Sequence, residues 1–170
     1  MKPAEKLVKT LTARKQTVAA AESCTAGLAA DLIARIPGAS AVFWGSYVTY
    51  TADAKVKMLG VDEGLIKRHG AVSKAVALAM AEGALEKSGA FWAFSVTGLA
   101  GPGGDGSGVP VGTVWTGIAG RDGKKGAPLS RAKMFQFSGS RNDIRKAAAA
   151  AVLKELLERI APGDIDRETN

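Results

Sequence analysis

The sequence is poor in the residues from which many catalytic centres are built. Its 170 residues include one cysteine, Cys24, and one histidine, His69. A single cysteine cannot form an internal disulfide, and neither a multi-cysteine nor a multi-histidine metal site can be assembled. A Ser-His-Asp or Cys-His scheme would have to use His69. Lysine is therefore the main alternative base for a nucleophilic hydroxyl group.

Long apolar segments are also missing. No run approaches the ~20 residues of a membrane span, and the Lys-rich start lacks the apolar core of a signal peptide. With 46% apolar and 23% charged residues, we expect a cytoplasmic protein with one domain over residues 1–162 and a frayed tail over 163–170. The formal charge of +7 favours an anionic partner, either a small phosphorylated molecule or nucleic acid.

Strand-like and helical patterns alternate along the chain. Short apolar segments predict strands at 17–21, 42–50, 91–97, 113–119 and 130–137. Helical patterns lie between the first three predicted strands, and one of them starts at Thr25. A last helix begins at Ser140 and has a core-facing stripe from Ile144 to Ile160. The chain is therefore predicted to be an α/β protein, a three-layer α/β/α sandwich with a mixed, mostly parallel sheet. Ligands of such sheets bind at the carboxyl ends of the strands.

The stretch from Val18 to Gly27 is our leading candidate for the functional centre. An apolar strand runs directly into Glu-Ser-Cys-Thr and then into a helical pattern, so side-chain nucleophiles and free amide groups meet at one point. Ser23 is either a nucleophile or only a helix cap, and the residues alone leave both interpretations open. Cys24 is more typical of a small buried hydrophobic residue. The amides of the turn from Ser23 to Gly27 are candidates for an oxyanion site.

Lys55 and Tyr50 follow the second predicted strand closely enough to reach the same crevice. A lysine base must lose its proton near neutral pH, which requires its pKa of ~10.4 to fall by about 3 units through burial or a neighbouring cation. The competing interpretations are a solvated surface lysine and an ordinary aromatic residue at a strand end.

A glycine-rich loop over residues 98–112 contains seven glycines and two prolines. It includes a formal G-x-G-x-x-G match, but a strand-like run follows it where the dinucleotide fingerprint requires a helix, so we reject that match. The loop amides can still bind an anion. Arg141 and Arg145 lie one turn apart at the start of the last helix, where cations oppose the helix dipole. An anionic ligand would explain them, and so would a local ion pair with Asp143.

Several segments together resemble the CinA C-terminal domain family, from about residue 5 to residue 160. They are Glu22–Gly27, Val48–Tyr50 with Lys55, Leu59–Val61, His69–Ser73, Thr97–Pro102, Pro110–Trp115 and Ser138–Arg141. Their order and spacing are much more specific than any single motif. The chain departs from the family pattern at Ala26, where a second glycine is frequent, and at Leu99, where isoleucine is common.

The resemblance implies hydrolysis of the carboxamide of nicotinamide mononucleotide to nicotinate mononucleotide and ammonia, a step of pyridine nucleotide salvage. It also implies that Ser23 is the nucleophile, that Lys55 and Tyr50 are the proton-transfer pair, and that Thr97 and Arg141 are further active-site groups. The residues expected to bind the substrate are Thr25, Gly27, Gly98, Gly101 and Arg141. No metal or cofactor is implied, and homo-oligomerisation is left open.

Two other functions stay open at the level of the sequence. The first is a nucleotide-binding module that keeps the pocket without turnover. The second is a basic nucleic-acid-associated protein, suggested by the charge of +7 and by the basic cluster from Arg121 to Lys133. The chain contains no helix-turn-helix, zinc-finger or aromatic-basic pattern that would read bases, so we rank the second function last.

Overall fold

The computed structural model describes residues 1–121 and 129–160. The predicted tail and most of the basic connection after Arg121 lie outside these residues. The helices within them are α1 (Pro3–Arg14), α2 (Leu28–Ala34), α3 (Ala52–Leu59), α4 (Glu63–His69), α5 (Lys74–Ser88) and α6 (Arg141–Ile160). The strands are β1 (Val18–Glu22), β2 (Phe43–Val48), β3 (Trp92–Gly98), β4 (Thr113–Gly120) and β5 (Leu129–Gln136). None of the described helices is long and apolar enough to cross a membrane.

The five strands form one sheet in the order β2-β1-β3-β4-β5. Strand β1 pairs in parallel with β2 and β3, whereas β4 is antiparallel to both of its neighbours. All strands except β4 therefore point the same way, which confirms the predicted mixed, mostly parallel sheet. The register places Glu22 opposite Val48 and Val96. The carboxyl ends of three parallel strands thus meet at one edge of the sheet, next to Ser23 and Thr97.

Helices cover both faces of the sheet, as the sandwich prediction requires. Helices α1, α2 and α6 enclose the larger core, and α3, α4 and α5 enclose a second core on the opposite face. The stripe from Ile144 to Ile160 on α6 is buried, as its helical spacing predicts. Helix α5 lies very close to the sheet, which is possible because Gly117 has no side chain. A Cβ atom at this position would come within 2.4 Å of the Ala77 carbonyl oxygen.

Helix starts follow from the local sequence in most places. Asp62 and Ser73 cap α4 and α5 by accepting hydrogen bonds from amides three residues further along. Helix α2 is an exception, because the helical pattern predicts a start at Thr25 and the regular helix begins at Leu28. The intervening residues form a tight turn with Ala26 at φ 49° and Gly27 at φ 95°. This left-handed turn delays the helix and separates it from Ser23.

Candidate active site

A cavity of about 290 Å³ opens where β1, β2 and β3 end. Its wall is formed by the following residues: Ser23, Cys24, Tyr50, Ala52, Lys55, Ala71, Val72, Thr97, Gly98, Leu99, Ala100, Asp105 and Arg141. The volume lies near the lower end of small-molecule sites, which span about 300–1,000 Å³. The cavity therefore fits a small molecule, and it gathers residues from three strand ends, two helices and the glycine-rich loop.

Ser23 and Lys55 are in hydrogen-bond contact inside this cavity. The Ser23 amide donates to the Val96 carbonyl oxygen, which continues the pairing of β1 with β3 and holds the residue at the strand end. Thr51 caps α3 by accepting from Ala54, and Lys55 reaches back from this helix towards the sheet. Its Nζ is 2.9 Å from Ser23 Oγ. The geometry therefore brings an amine that can accept a proton into contact with a hydroxyl group that can donate one.

The side chain of Lys55 is 1% exposed, so the surface interpretation of this lysine is wrong. Its Nζ also donates to the Thr49 carbonyl oxygen at 2.8 Å, and no carboxylate among the described residues pairs with it. Burial lowers the pKa of Lys55 from 10.5 to about 8, while the nearby Cys24 acts weakly in the opposite direction. About half of such amines are neutral at pH 8 and can accept a proton.

Arg141 crosses the mouth of the cavity from the start of α6. One of its guanidinium nitrogens donates to the Gly101 carbonyl oxygen and another to the Tyr50 hydroxyl, both at 2.6 Å. The Tyr50 side chain is 53% exposed, and only its carbonyl oxygen approaches Ser23 Oγ, at 3.5 Å. The predicted proton-transfer pair is therefore divided in space. Lys55 lies at the nucleophile, and the Tyr50 hydroxyl lies at the entrance.

The other predicted residues divide between the cavity wall and its support. Thr97 and Gly98 lie on the wall, and the Thr97 hydroxyl donates to the Ala71 carbonyl oxygen. Gly101 supports Arg141 through its carbonyl group. Thr25 and Gly27 lie in the turn behind Ser23, where Thr25 is fully buried and its hydroxyl has no partner among the described residues. Direct substrate contacts by Thr25 and Gly27 stay predictions.

Most amides of the turn from Ser23 to Gly27 are already engaged. Ala26 donates to the Ser23 carbonyl oxygen, and Gly27 donates to the Glu22 carboxylate. Among the described residues, no oxygen accepts a hydrogen bond from the amides of Cys24 and Thr25, and of these two residues only Cys24 lies on the cavity wall. The predicted oxyanion site therefore narrows to the Cys24 amide.

Two supports of this turn were not predicted as such from the sequence. Glu22 is completely buried and accepts hydrogen bonds from the start of α2. Arg145 donates to the carbonyl oxygens of Cys24 and Thr25 at 2.9 and 3.0 Å. These carbonyl groups account for the cation near a helix start, and neither an anionic ligand nor Asp143 is needed for it. The available signal for Glu22 was a charged residue directly at the end of an apolar strand.

The single cysteine and the single histidine have no part in the pair of Ser23 and Lys55. Burial raises the pKa of the Cys24 thiol to about 11, which agrees with the prediction of a small buried hydrophobic residue. His69 is exposed at the end of α4 and lies outside the described cavity wall. Lysine is thus the base nearest to the nucleophile, as the shortage of histidine suggests.

The chain is similar to several known proteins. A CinA-like protein of Akkermansia muciniphila is 49% identical over 140 residues, which are 82% of this chain and 33% of that protein. The nicotinamide-nucleotide amidohydrolase PncC of Escherichia coli K12 is 42% identical over 159 residues, which cover 94% of this chain and 93% of the enzyme. The crystal structure of the competence/damage inducible protein CihA of Agrobacterium tumefaciens is 40% identical, has a TM-score of 0.84 and matches over 93% of both chains.

The lengths of these relatives differ. The chain spans about a third of the length of the first curated relatives that it matches, but nearly the full length of the Escherichia coli enzyme. The family model for the CinA C-terminal domain matches residues 1–160, which include every residue of the cavity wall. The chain therefore belongs to the CinA C-terminal domain family.

Proposed function

We propose that the protein is an amidohydrolase that converts nicotinamide mononucleotide and water to nicotinate mononucleotide and ammonia, in pyridine nucleotide salvage. The observation that carries this proposal is the 2.9 Å contact between Lys55 Nζ and Ser23 Oγ in a cavity of about 290 Å³. The similarity to the Escherichia coli enzyme over nearly its whole length supports the choice of substrate.

The reaction begins with a neutral Lys55. Its amine accepts the hydroxyl proton of Ser23 while Oγ forms a bond to the carboxamide carbon. The carbonyl electron pair moves onto the oxygen, and the Cys24 amide stabilises the resulting oxyanion. Lys55 then gives its proton to the amide nitrogen as the carbon–nitrogen bond breaks. Ammonia leaves, and an ester joins Ser23 to the nicotinoyl group of the nucleotide.

Water completes the cycle by the same proton path. Lys55 accepts a proton from the attacking water, and the second tetrahedral intermediate forms at the same carbon. The ester bond breaks, the proton returns to Ser23 Oγ, and nicotinate mononucleotide leaves. The scheme requires only these side chains and water. Because Lys55 acts on both the nucleophile and the leaving group, its loss should stop both halves of the reaction.

Arg141 is the proposed contact for the substrate phosphate. Its guanidinium group carries a positive charge at the cavity mouth and presents several donors in one plane, which suits phosphate oxygens. Tyr50 and Gly101 hold it in the absence of substrate. The Leu99 amide already donates to the Thr113 carbonyl oxygen, but no described oxygen accepts from the Ala100 amide on the same wall, so this amide can add a further donor. In this proposal the anionic end of the nucleotide lies at the entrance and its carboxamide lies at Ser23.

The deciding experiment incubates the purified protein with nicotinamide mononucleotide and a chelator, and measures ammonia together with nicotinate mononucleotide. We expect both products in equal amounts, and no turnover by Ser23→Ala or Lys55→Met. Lys57→Met is the matched control, because Lys57 lies on the same helix but is exposed and pairs with Asp53. It should retain wild-type activity.

The other outcomes separate the remaining functions. Absence of product at high protein concentration would refute the proposal. Calorimetric binding of nicotinamide mononucleotide without hydrolysis would identify a nucleotide-binding module. Submicromolar, salt-sensitive binding of DNA would instead favour a nucleic-acid-associated protein, since phosphate contacts produce a steep dependence on salt.

A further inference from the structure

We propose that Glu22 and Arg145 are positioning residues that clamp the turn bearing Ser23 from two sides and thereby aim both Ser23 Oγ and the Cys24 amide. This inference rests on the proposed function, because it assigns these two residues a role in the rate of the same reaction. Neither residue lies on the cavity wall in the part of the chain that the structure describes, so both act through the turn.

The Glu22 carboxylate is saturated with donors although it is completely buried. One oxygen accepts from the amides of Gly27 and Ala29 at 3.0 and 3.1 Å. The other accepts from the Ala30 amide at 2.9 Å and from the Ser46 hydroxyl at 3.4 Å. No described lysine or arginine contacts it. Its charge is therefore stabilised by amide groups and by the positive end of α2.

These bonds close the nucleophile turn into a loop. The chain leaves β1 at Glu22, passes through Ser23 and Cys24, and returns at Gly27 to the carboxylate of Glu22 itself. The Glu22 carbonyl oxygen also accepts from the Thr49 amide, which ties the start of the loop to the end of β2. Glu22 thus holds the backbone on both sides of Ser23, through its carbonyl group before Ser23 and through its carboxylate after it.

Glu22 also determines which amides remain for the reaction. The free amides of a helix start normally attract anions. Here the Glu22 carboxylate accepts from these amides, so the start of α2 has an acceptor from the protein itself and carries a negative charge. An oxyanion formed on the substrate is then directed to the Cys24 amide, which no described oxygen engages.

Arg145 holds the opposite side of the turn. Its guanidinium group donates to the carbonyl oxygens of Cys24 and Thr25, and the Ser23 carbonyl oxygen accepts from Ala26. In a trans peptide unit the N–H points away from the C=O. By holding the Thr25 carbonyl, Arg145 therefore fixes the direction of the Ala26 N–H, which donates to the Ser23 carbonyl. The fixed direction of the Ser23 carbonyl in turn fixes the direction of the Cys24 N–H.

The test replaces Glu22 by glutamine, which keeps the size of the side chain but puts an NH₂ donor where an acceptor is needed. Glu155→Gln is the matched control, since Glu155 is also a buried glutamate but accepts its hydrogen bond from Thr116, and neither residue lies on the described cavity wall. Both variants are compared with wild type for unfolding temperature, for kcat and KM with nicotinamide mononucleotide, and for the labelling rate of Ser23 by a fluorophosphonate.

We expect Glu22→Gln to lower kcat by about 10²-fold, because a misplacement of about 1 Å has an effect of this size. KM should change little, since the residues on the cavity wall are retained. Glu155→Gln should leave kcat and the labelling rate of Ser23 unchanged, because Glu155 makes no described contact with the turn that bears Ser23. Arg145→Gln should lower kcat and the labelling rate in the same direction. It serves as the second variant if Glu22→Gln does not fold, because Arg145 is only partly buried.

Wild-type kcat and labelling rate in folded Glu22→Gln and Arg145→Gln would overturn the clamp and leave both residues with a purely structural role. Equal losses of kcat in Glu22→Gln and Glu155→Gln would overturn it as well. If the wild-type protein fails to hydrolyse nicotinamide mononucleotide but its Ser23 is labelled, the proposed function fails. The labelling rates of the wild type, Glu22→Gln and Arg145→Gln then test the positioning role without the hydrolysis assay. Ser23→Ala measures the labelling of other residues.

Discussion

Replacement of Lys55 by methionine is expected to stabilise the protein at neutral pH while it abolishes activity. Burial lowers the pKa of Lys55 from 10.5 to about 8, and each pKa unit corresponds to 1.36 kcal/mol. The charged lysine therefore destabilises the folded state by about 3 kcal/mol at pH 7. Methionine removes this penalty but leaves the Thr49 carbonyl without its donor, which costs about 1–2 kcal/mol. The expected net gain is about 1–2 kcal/mol.

The pH dependence has a definite sign. Below pH 8 Lys55 is protonated in both states, and the folded state bears the full penalty. Between pH 8 and pH 10.5 the folded protein loses this proton first, so the unfolded chain binds more protons and wild-type stability rises with pH. The methionine variant lacks this rise. Its advantage should therefore shrink steadily across this interval and change sign between about pH 9 and about pH 10.

The assay is urea unfolding of both proteins at several pH values from 6 to 10.5, with the free energies of unfolding extrapolated to water. All other titrating groups are common to both proteins, so their contributions cancel in the difference. Lys57→Met is again the control, because Lys57 is exposed. A difference between wild type and Lys55→Met that does not vary with pH would refute the assignment of a low pKa to Lys55.

Further outcomes are expected at four positions. The kcat/KM for nicotinamide mononucleotide should rise about tenfold per pH unit below pH 8 and level off above it, as Lys55 becomes neutral; a flat profile from pH 6 to 9 would contradict this. Arg141→Met should raise KM about 10- to 100-fold with a smaller effect on kcat, measured by steady-state kinetics. Cys24 should resist iodoacetamide at pH 8 in the native protein and react after urea is added, because its thiol pKa is about 11. Ala26→Gly should stabilise the fold by up to about 1 kcal/mol in urea unfolding, since Ala26 has φ 49°.

Much of the fold could be predicted from local patterns. The elements α3 to α5 have capping residues and glycine stops that mark their ends, and the spacing from Ile144 to Ile160 marks the buried face of α6. The strand order could not be obtained in this way. Which strands become neighbours depends on how the helices are distributed over the two faces of the sheet, and no short segment of sequence determines that distribution.

The chemistry of the site was partly accessible from composition. With one histidine and one cysteine in the chain, a base for Ser23 had to be sought among the lysines, and Lys55 lies just after a strand end. The distance from Lys55 to Ser23 and the depth of its burial depend on tertiary packing. The same holds for the Tyr50 hydroxyl, which was expected beside Lys55 and instead bonds to Arg141.

The start of α2 shows why the sequence alone could not tell which amides of the turn are left without an acceptor. Free amides at a helix start are a general rule, and the sequence contains a helix start after Ser23. The rule does not say whether a side chain of the protein will occupy those amides. Here Glu22, which precedes Ser23, does so across the turn.

The bonds from Arg145 to the turn also have a consequence for the order in which the protein becomes active. Arg145 and Thr25 are 120 residues apart in the chain. During synthesis, Ser23, Lys55 and the first three strands leave the ribosome well before α6 exists. A partly made chain therefore carries Ser23 and Lys55 without the guanidinium group that bonds to the turn after Ser23. We therefore expect the proposed hydrolysis to begin only when the helix starting at Arg141 has docked, so that an unfinished chain leaves the amides in its surroundings intact.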